Sequence, residues 1–382
     1  MRVFFLIVLM AFLFSSITSA NEDISPHTWS DYYKTGLLSV HAELTIGNHS
    51  LPESEHIREI ASFIETKSGK IILSDSSMHK LYMFDSKGQF IKTVGQKGNG
   101  PGDLNFPSNL FWHEGCVAVY EFGNRRISYF SENGEFIKSK KMTATGIIKK
   151  IRVLPDDNLL IENFHFSSKP NTPQICGIFL CSRDIEPIKK TYSHPLSQYK
   201  LILKPQRIHL PQPYAPDIAW NVTPNGNIVV GFQEKYELEV LDPTRGNLHH
   251  ITHNPPPVKV TNNDKEIFFA KLIYGDTTYS KRGANDFIRR KTEFPKFLPP
   301  FKDVVCDSAG NILVFPYITK KTKDNNYFDW FSPDGTFKGR VKIKSELIFE
   351  DNPKLVFKKG YFWSLTISDE GERTLVKFIV DQ

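Results

Sequence analysis

The sequence predicts an all-β fold, a six-bladed β-propeller with its ring closed by an N-terminal strand pairing with the C-terminal blade. Three observations carry that expectation. A strand-and-turn unit recurs along the chain, the composition suits short strands and tight turns, and the last repeat stops one strand short while the start of the chain holds a spare one.

The recurring unit has an apolar strand, a tight turn with Gly or Asn, a second strand, a third ending in an aromatic, a second Gly turn and a charged fourth strand. Its clearest copies are KSGKIILSDSSMHKLYMFDSKGQFIKTVG (Lys67 to Gly95) and HEGCVAVYEFGNRRISYFSENGEFIKSKK (His113 to Lys141). Their turns align at Gly69 with Gly115 and at Gly88 with Gly134, each pair 46 residues apart, which is about one propeller blade. Weaker copies begin at Pro155, Pro224, Ser308 and Lys358, so six blades are expected. Glycine, Asn and Asp at the turns suit two- to four-residue hairpins, whose primed turns require positive φ. One blade alone cannot bury both faces, so neighbours must stack until the ring closes. The last copy supplies three strands, Lys354 to Phe357, Tyr361 to Ser368 and Thr374 to Val380. The alternating run Leu37 to Gly47 is the expected fourth.

Composition agrees with this plan. The 382 residues include 30 Phe, 23 Gly and 24 Pro, and aromatics make up 13%. The first residues are one cation, Arg2, an apolar run from Val3 to Phe14 and a small polar stretch ending at Ala20, the pattern of a secretory signal peptide. Twelve helical residues reach only about 18 Å, short of the ~30 Å core of a bilayer. The expected organisation is a signal peptide at 1–20, an N-terminal extension at 21–36 and one propeller domain at 37–382, with insertions at 194–214 and 254–300. The product would be an exported monomer, periplasmic or extracellular, without a membrane span.

Net charge is +6, from 48 basic and 42 acidic residues scattered among one another, which is modest for this length, so no nucleic-acid partner is expected. Lys338, Arg340, Lys342 and Lys344 alternate on an expected outermost strand, as do Lys138 and Lys140, and read as solvated, edge-protecting charges. The four cysteines allow three disulfide connectivities. Cys176 and Cys181, five apart in one strand, would point to opposite faces and could not bridge each other, so buried free thiols are expected.

The segment GQKGNGPGDLNFPS (Gly95 to Ser108) followed by GNRRISYF (Gly123 to Phe130) resembles the NHL repeat. That pattern has a Gly-rich linker with Gly-Pro-Gly, then Pro, then an Asn-x-Arg-Ile element leading to Phe. The resemblance is nearest to secreted bacterial six-bladed propellers of unassigned role. It is strong over Ile57 to Met142, partial to Lys344 and faint in the last blade; in the later blades the Gly-Pro-Gly linker is missing and the Arg-Ile element is replaced, for example by Tyr236 to Leu241.

In such a ring, turns between first and second and between third and fourth strands share one face, and all of them here are short. The other face receives the long excursions Asn163 to Pro173, His194 to Tyr214, Asn254 to Pro300 and Thr319 to Asn326, so it is the expected working face. Within the largest insertion, Asn263 to Asp276 predicts a short helix between Pro-rich arms, a candidate lid. Arg207, Tyr214, Tyr274, Arg289 and Arg290 are the candidate ligand-binding residues for an anionic or sugar-like group.

No HExxH, paired CxxC, Gly-x-Ser-x-Gly or Walker sequence occurs, and SPDG at Ser332 reads as a hairpin turn. The expected function is therefore non-catalytic binding of a protein, peptide or glycan, without a cofactor. The resemblance also implies an alternative, because some propeller lyases related to NHL proteins hold a metal with histidines around the central axis. His79, His165, His209 and His253, with Asp75 and Glu121 nearby in their blades, would be the candidates for a divalent metal such as zinc or calcium in a lyase or hydrolase.

Overall fold

A computed structural model describes residues 28–143, 146–165, 174–196, 199–202, 208–275, 288–319, 326–349, 354–367 and 371–381, the side chains of 199–202, 208–211, 271 and 273–275 excepted. The expected leader at 1–20 lies outside the described residues.

Among the described residues four four-stranded antiparallel sheets form blades 1 to 4, and a nine-stranded sheet holds blades 5 and 6, joined through the N-terminal strand. Blade 1 comprises Ser62–Glu65, Ile71–Asp75, Lys80–Phe84 and Phe90–Val94, and blade 2 Pro107–His113, Cys116–Glu121, Arg126–Phe130 and Phe136–Lys141. Blade 3 is built from Ile147–Val153, Leu159–His165, Gln174–Cys181 and Pro187–Leu196, and blade 4 from Ile218–Val222, Ile228–Phe232, Glu237–Asp242 and Gly246–Thr252. Blade 5 contains Asp303–Cys306, Ile312–Phe315, Tyr327–Phe331 and Phe337–Lys344. In blade 6 the innermost strand is split into Ile348–Phe349 and Val356–Phe357, followed by Tyr361–Ile367 and Arg373–Val380. Its outer strand is the N-terminal Leu37–Ile46, antiparallel to Arg373–Val380 with Val40 opposite Val380 and Ile46 opposite Leu375.

Hydrophobic burial runs around the ring without a gap. Separate apolar clusters join blades 1 and 2 (Ile72, Val119), 2 and 3 (Tyr129, Ile161), 3 and 4 (Ile178, Trp220), 4 and 5 (Val229, Val314), 5 and 6 (Phe328, Phe378), and 6 and 1 (Trp363, Phe63). Each blade thus buries both faces, which a single sheet cannot do for itself. Cys176 belongs to the cluster between blades 3 and 4, and Cys181 to the one between blades 2 and 3, as their opposite facing requires. All four cysteines are free thiols.

Side chains fasten the Gly-rich linker before blade 2, and Asn124 Nδ2 donates to the Gly98 carbonyl at 3.0 Å. Arg126 pairs with the fully buried Glu121 at 2.7 Å and donates to the carbonyls of Asn99, Gly100 and Asp103. Glu121 also accepts from Ser128, Asn124 and the Asn105 backbone. The Arg of the repeat motif is therefore an internal staple for backbone that has no sheet partner.

Two features differ from the sequence expectation. Residues 21–36 read as an extension outside the propeller, but Trp29–Tyr33 forms a helix, α1, seated over the short-turn face where blades 5 and 6 meet. Trp29 Nε1 donates to the Lys358 carbonyl at 2.8 Å, and Tyr33 packs edge-on against Phe328 and Trp330. The second difference concerns the lysines of Phe337–Lys344. That strand is not a free edge, because Leu37–Ser39 pairs parallel to Lys342–Lys344 before the N-terminal strand turns to its antiparallel partner. The edge-protecting reading fails there because backbone pairing already covers that stretch. Among the described residues no helix is long and apolar enough to cross a membrane.

Candidate functional site

The innermost strands of the blades approach one another around the axis. Leu110 N donates to Ser62 Oγ between blades 2 and 1, Lys150 Nζ to the Trp220 carbonyl between blades 3 and 4, and Asn221 Nδ2 to the Val304 carbonyl between blades 4 and 5. One of these strands is chemically unlike the rest. Ile147–Val153 reads IIKKIRV, whereas SFIE, PSNLFWH, IAWNV, DVVC and the two short pieces of blade 6 contain no Lys or Arg.

A β-bulge explains how adjacent lysines come to serve one side. Ile148 faces Asn163 and Lys150 faces Glu162, leaving Lys149 as the extra residue. Lys149 Nζ lies 3.1 Å from Glu162 Oε1 and 2.6 Å from Asp217 Oδ2. Burial works against its charge, but Glu162 and Asp217 outweigh that and raise its pKa. Lys150 has no carboxylate of its own; it lies over the Trp220 ring, 5.1 Å from the centroid. Burial, and then the neighbouring Arg152, bring Lys150 down to about 8. Arg152 donates to the adjacent Ile151 carbonyl at 3.0 Å and forms no ion pair among the described residues. The carboxylates of Asp303 and Glu162 favour the charged forms of both cations.

Glu162, Cys176 and Asp217 place ligand-type atoms within 4.8 Å of one another, the spacing a metal would need. The donor set does not fit one. The Lys149 ammonium already stands against both carboxylates, Glu162 also accepts from Trp220 Nε1 at 2.7 Å, and burial followed by Glu162 pushes the Cys176 thiol up, away from the thiolate that binds metals.

The expected helix is present as α2, Asn262–Gly275. Thr261 caps it reciprocally with Asp264, and Phe268, Phe269, Ile288 and Phe294 give it a small core of its own. The insertion is closed at its base by Val260 N to the Lys296 carbonyl and Leu298 N to the Val258 carbonyl. It is anchored on the loop-rich face by Tyr214, whose ring meets Phe268, Phe294 and Tyr317 and whose hydroxyl donates to the Asp264 carbonyl at 2.5 Å. Thr319, in the blade 5 excursion, donates to Asp264 Oδ1.

Of the candidate ligand residues, Tyr214 is thus a structural anchor. Arg289 holds Glu266 through two bonds of 3.0 and 2.9 Å and stacks on Phe269, and Arg290 is exposed beside it. Arg207 and the Tyr274 side chain lie outside the described residues. His79 is buried, accepts from the Phe106 backbone at 3.0 Å through Nδ1, and is shifted down by burial and Lys97. His253 stacks on Phe337, while His165 is half-buried at the end of its strand in blade 3. The His209 side chain lies outside the described residues. Among the described residues the metal-like grouping contains no histidine. Asp75 accepts from the backbones of Arg58, Glu59, Ser77 and Met78, a linker-fastening role parallel to that of Glu121.

Sequence reading passed over Lys149, Lys150 and Arg152. The signal was available, since three cations in an innermost strand break an otherwise apolar pattern, but their convergence with Asp217 and Asp303 depends on blades far apart in the chain.

Comparisons with known proteins agree with the architecture. A family model described as a 6-bladed beta-propeller (DUF5128) matches residues 52–200. A solved structure of a duf4221 family member from Bacteroides vulgatus is similar, with 12% identity, a TM-score of 0.51, and coverage of 91% of this chain and 99% of that one. Two further solved structures align at lower scores. An exported protein from Bacteroides fragilis has 10% identity, a TM-score of 0.48 and coverage of 91% and 100%. Virginiamycin B lyase from Staphylococcus aureus has 10% identity, a TM-score of 0.45 and coverage of 87% and 83%. No curated protein matches the chain. Sheet order, the sequence of inter-blade cores and the matched segment lead to one conclusion: the chain is a six-bladed β-propeller.

Proposed function

We propose that the protein is an exported, non-catalytic propeller that binds a protein, peptide or glycan on its loop-rich face. The observation that carries this reading is the asymmetry of the two faces. The α2 unit and the hairpin Tyr199–Ile202 with Ile208–Pro211 are both built from connections on one side. The opposite side has short turns and α1. Surfaces elaborated on a rigid scaffold are where repeat proteins recognise their ligands. The commitment of Lys149, Glu162, Asp217 and Cys176 to one another supports binding over chemistry, and the segment from Arg2 to Ala20 supports export.

Peptide and glycan arrays probed with the mature chain, and with a variant lacking residues 257–297, test the reading. Ligand retention by the intact chain and its loss in the deletion, with the circular dichroism of the blades preserved, is the expected result. Unchanged retention by the folded deletion variant would move the site off this face. Stoichiometric zinc or calcium in the purified protein, with turnover of a bound ligand, would replace the reading with the metal-dependent lyase or hydrolase.

A further inference from the structure

One cavity on the loop-rich face contains a buried polar group that nothing meets. It lies where blade 5 faces blade 6, at the end of blade 5 from which the long excursions leave. Asp303 begins the innermost strand there, Phe315 ends the second and Tyr327 begins the third. Opposite them the innermost strand of blade 6 is interrupted, for Phe349 pairs with Thr366 whereas Val356 pairs with Trp363. Phe315, Pro316, Ile318, Ile343, Phe349 and Leu355 give the cavity a largely apolar wall. A water molecule's centre has about 20 Å³ of it to move in. With a radius of ~1.4 Å added all round, that is space on the order of 100 Å³, enough for one side chain.

Asn326 also lines the cavity and is 4% exposed. Its backbone carbonyl accepts from Ile343 N at 2.8 Å, which fixes it at the start of its strand. Among the described residues neither Oδ1 nor Nδ2 of its amide has a hydrogen-bond partner. A buried amide is normally paired, and a water here would find few further partners along the apolar wall. The group that completes it must set a donor against Oδ1 and an acceptor against Nδ2. A primary carboxamide does both; a carboxylate or a hydrocarbon does not. The charged residues of the lining, Lys302 and Asp303, are of opposite sign, which favours a neutral group.

We propose that this cavity is a slot for a glutamine side chain, whose methylenes lie along the apolar wall while its carboxamide pairs reciprocally with Asn326. The slot rests on the loop-face reading for its setting and names the group that is recognised. The α2 unit braces its rim. Tyr317, between Pro316 and Ile318, packs edge-on against Tyr214 with ring centroids 5.6 Å apart, and Thr319 donates to Asp264 Oδ1.

Titration calorimetry tests the slot with the peptide acetyl-Ala-Ala-Gln-Ala-Ala N-methylamide, its Glu and Leu counterparts, and free L-glutamine. The expected result is saturable one-to-one binding of the Gln peptide, at least about tenfold tighter than either counterpart, since neither can complete the Asn326 amide. Asn326→Leu, and Ile318→Trp, which fills the cavity from its rim, should each weaken that binding at least about tenfold. Asn326→Leu removes an unmet polar group and should melt no lower than wild type, which separates lost binding from lost folding. Weaker binding of free glutamine assigns the carboxamide to a peptide, and equal binding to the free amino acid. Absence of binding by wild type, equal binding of the three peptides, or unchanged binding by Asn326→Leu overturns the slot. Array binding that is lost on deletion of residues 257–297 but indifferent to Asn326→Leu would leave the loop-face reading standing and also overturn the slot. Glutamine-dependent binding that persists in the folded deletion variant would count against the part of the α2 unit in that reading and leave the slot in place.

Discussion

Replacing Arg126 with Ala should destabilise the whole ring by more than its partial exposure suggests. Its guanidinium neutralises Glu121, which is fully buried, and holds three carbonyls of the Gly-rich linker. Removing one partner of a buried pair leaves an uncompensated charge and costs about 3–5 kcal/mol. At roughly 2.1 cal/mol/K of unfolding entropy per residue, that lowers the melting temperature of a ring this size by about 4–7 °C if it unfolds as one unit. Differential scanning calorimetry of Arg126→Ala, Glu121→Gln and the double variant measures the effect and the coupling together. The pair should couple by at least about 1 kcal/mol, because the neutral amide introduced by Glu121→Gln no longer needs the cation. A single variant within about 0.5 kcal/mol of wild type, or strictly additive losses, would refute the staple.

Glu114 provides a pH prediction. Burial alone would raise its pKa, but Lys138 and Lys140 outweigh burial and hold it at about 2. A depressed carboxylate contributes stability above its unfolded pKa of about 4.3 and loses it as pH falls toward the folded value. Chemical denaturation between pH 5 and 2 should therefore show a steeper decline for wild type than for Glu114→Gln, and parallel curves would remove the pairing from the account. Tyr236→Phe should cost about 1.5–3 kcal/mol in urea titration, since its hydroxyl donates to the buried Asp329 carboxylate at 2.9 Å. Arg340, read from the sequence as a solvated edge charge, also donates to both Asp329 oxygens at 2.7 and 3.2 Å, and an unchanged midpoint would show that it alone satisfies the carboxylate.

Much of the ring could be read from local signals. Gly88 and Gly134 sit at equivalent turns with φ of +77°, a conformation that favours glycine and repeats at the spacing of one blade. At Gly134 a Cβ would also meet Val94 Cγ2 at 2.6 Å. The spare strand at Leu37 was legible because the last repeat was short by one. What could not be read is what depends on distant partners. The sequence WSDYY gives no sign that it will sit over the junction of blades 5 and 6, since the Lys358 carbonyl that holds Trp29 is 329 residues away. The parallel pairing of Leu37–Ser39 with Lys342–Lys344 leaves no local mark either. The contacts of the loop residues were hidden for the same reason: Tyr214 and Arg289 stand out in conspicuous loops, where both hold the α2 unit together.

Closure of the ring is best tested by amide hydrogen exchange on the intact protein. If Val40–Ile46 pairs with Leu375–Val380, both segments should exchange as slowly as the core strand Val117–Tyr120, at rates set by global unfolding. Rapid exchange in both, as in unpaired chain ends, would contradict the closed propeller.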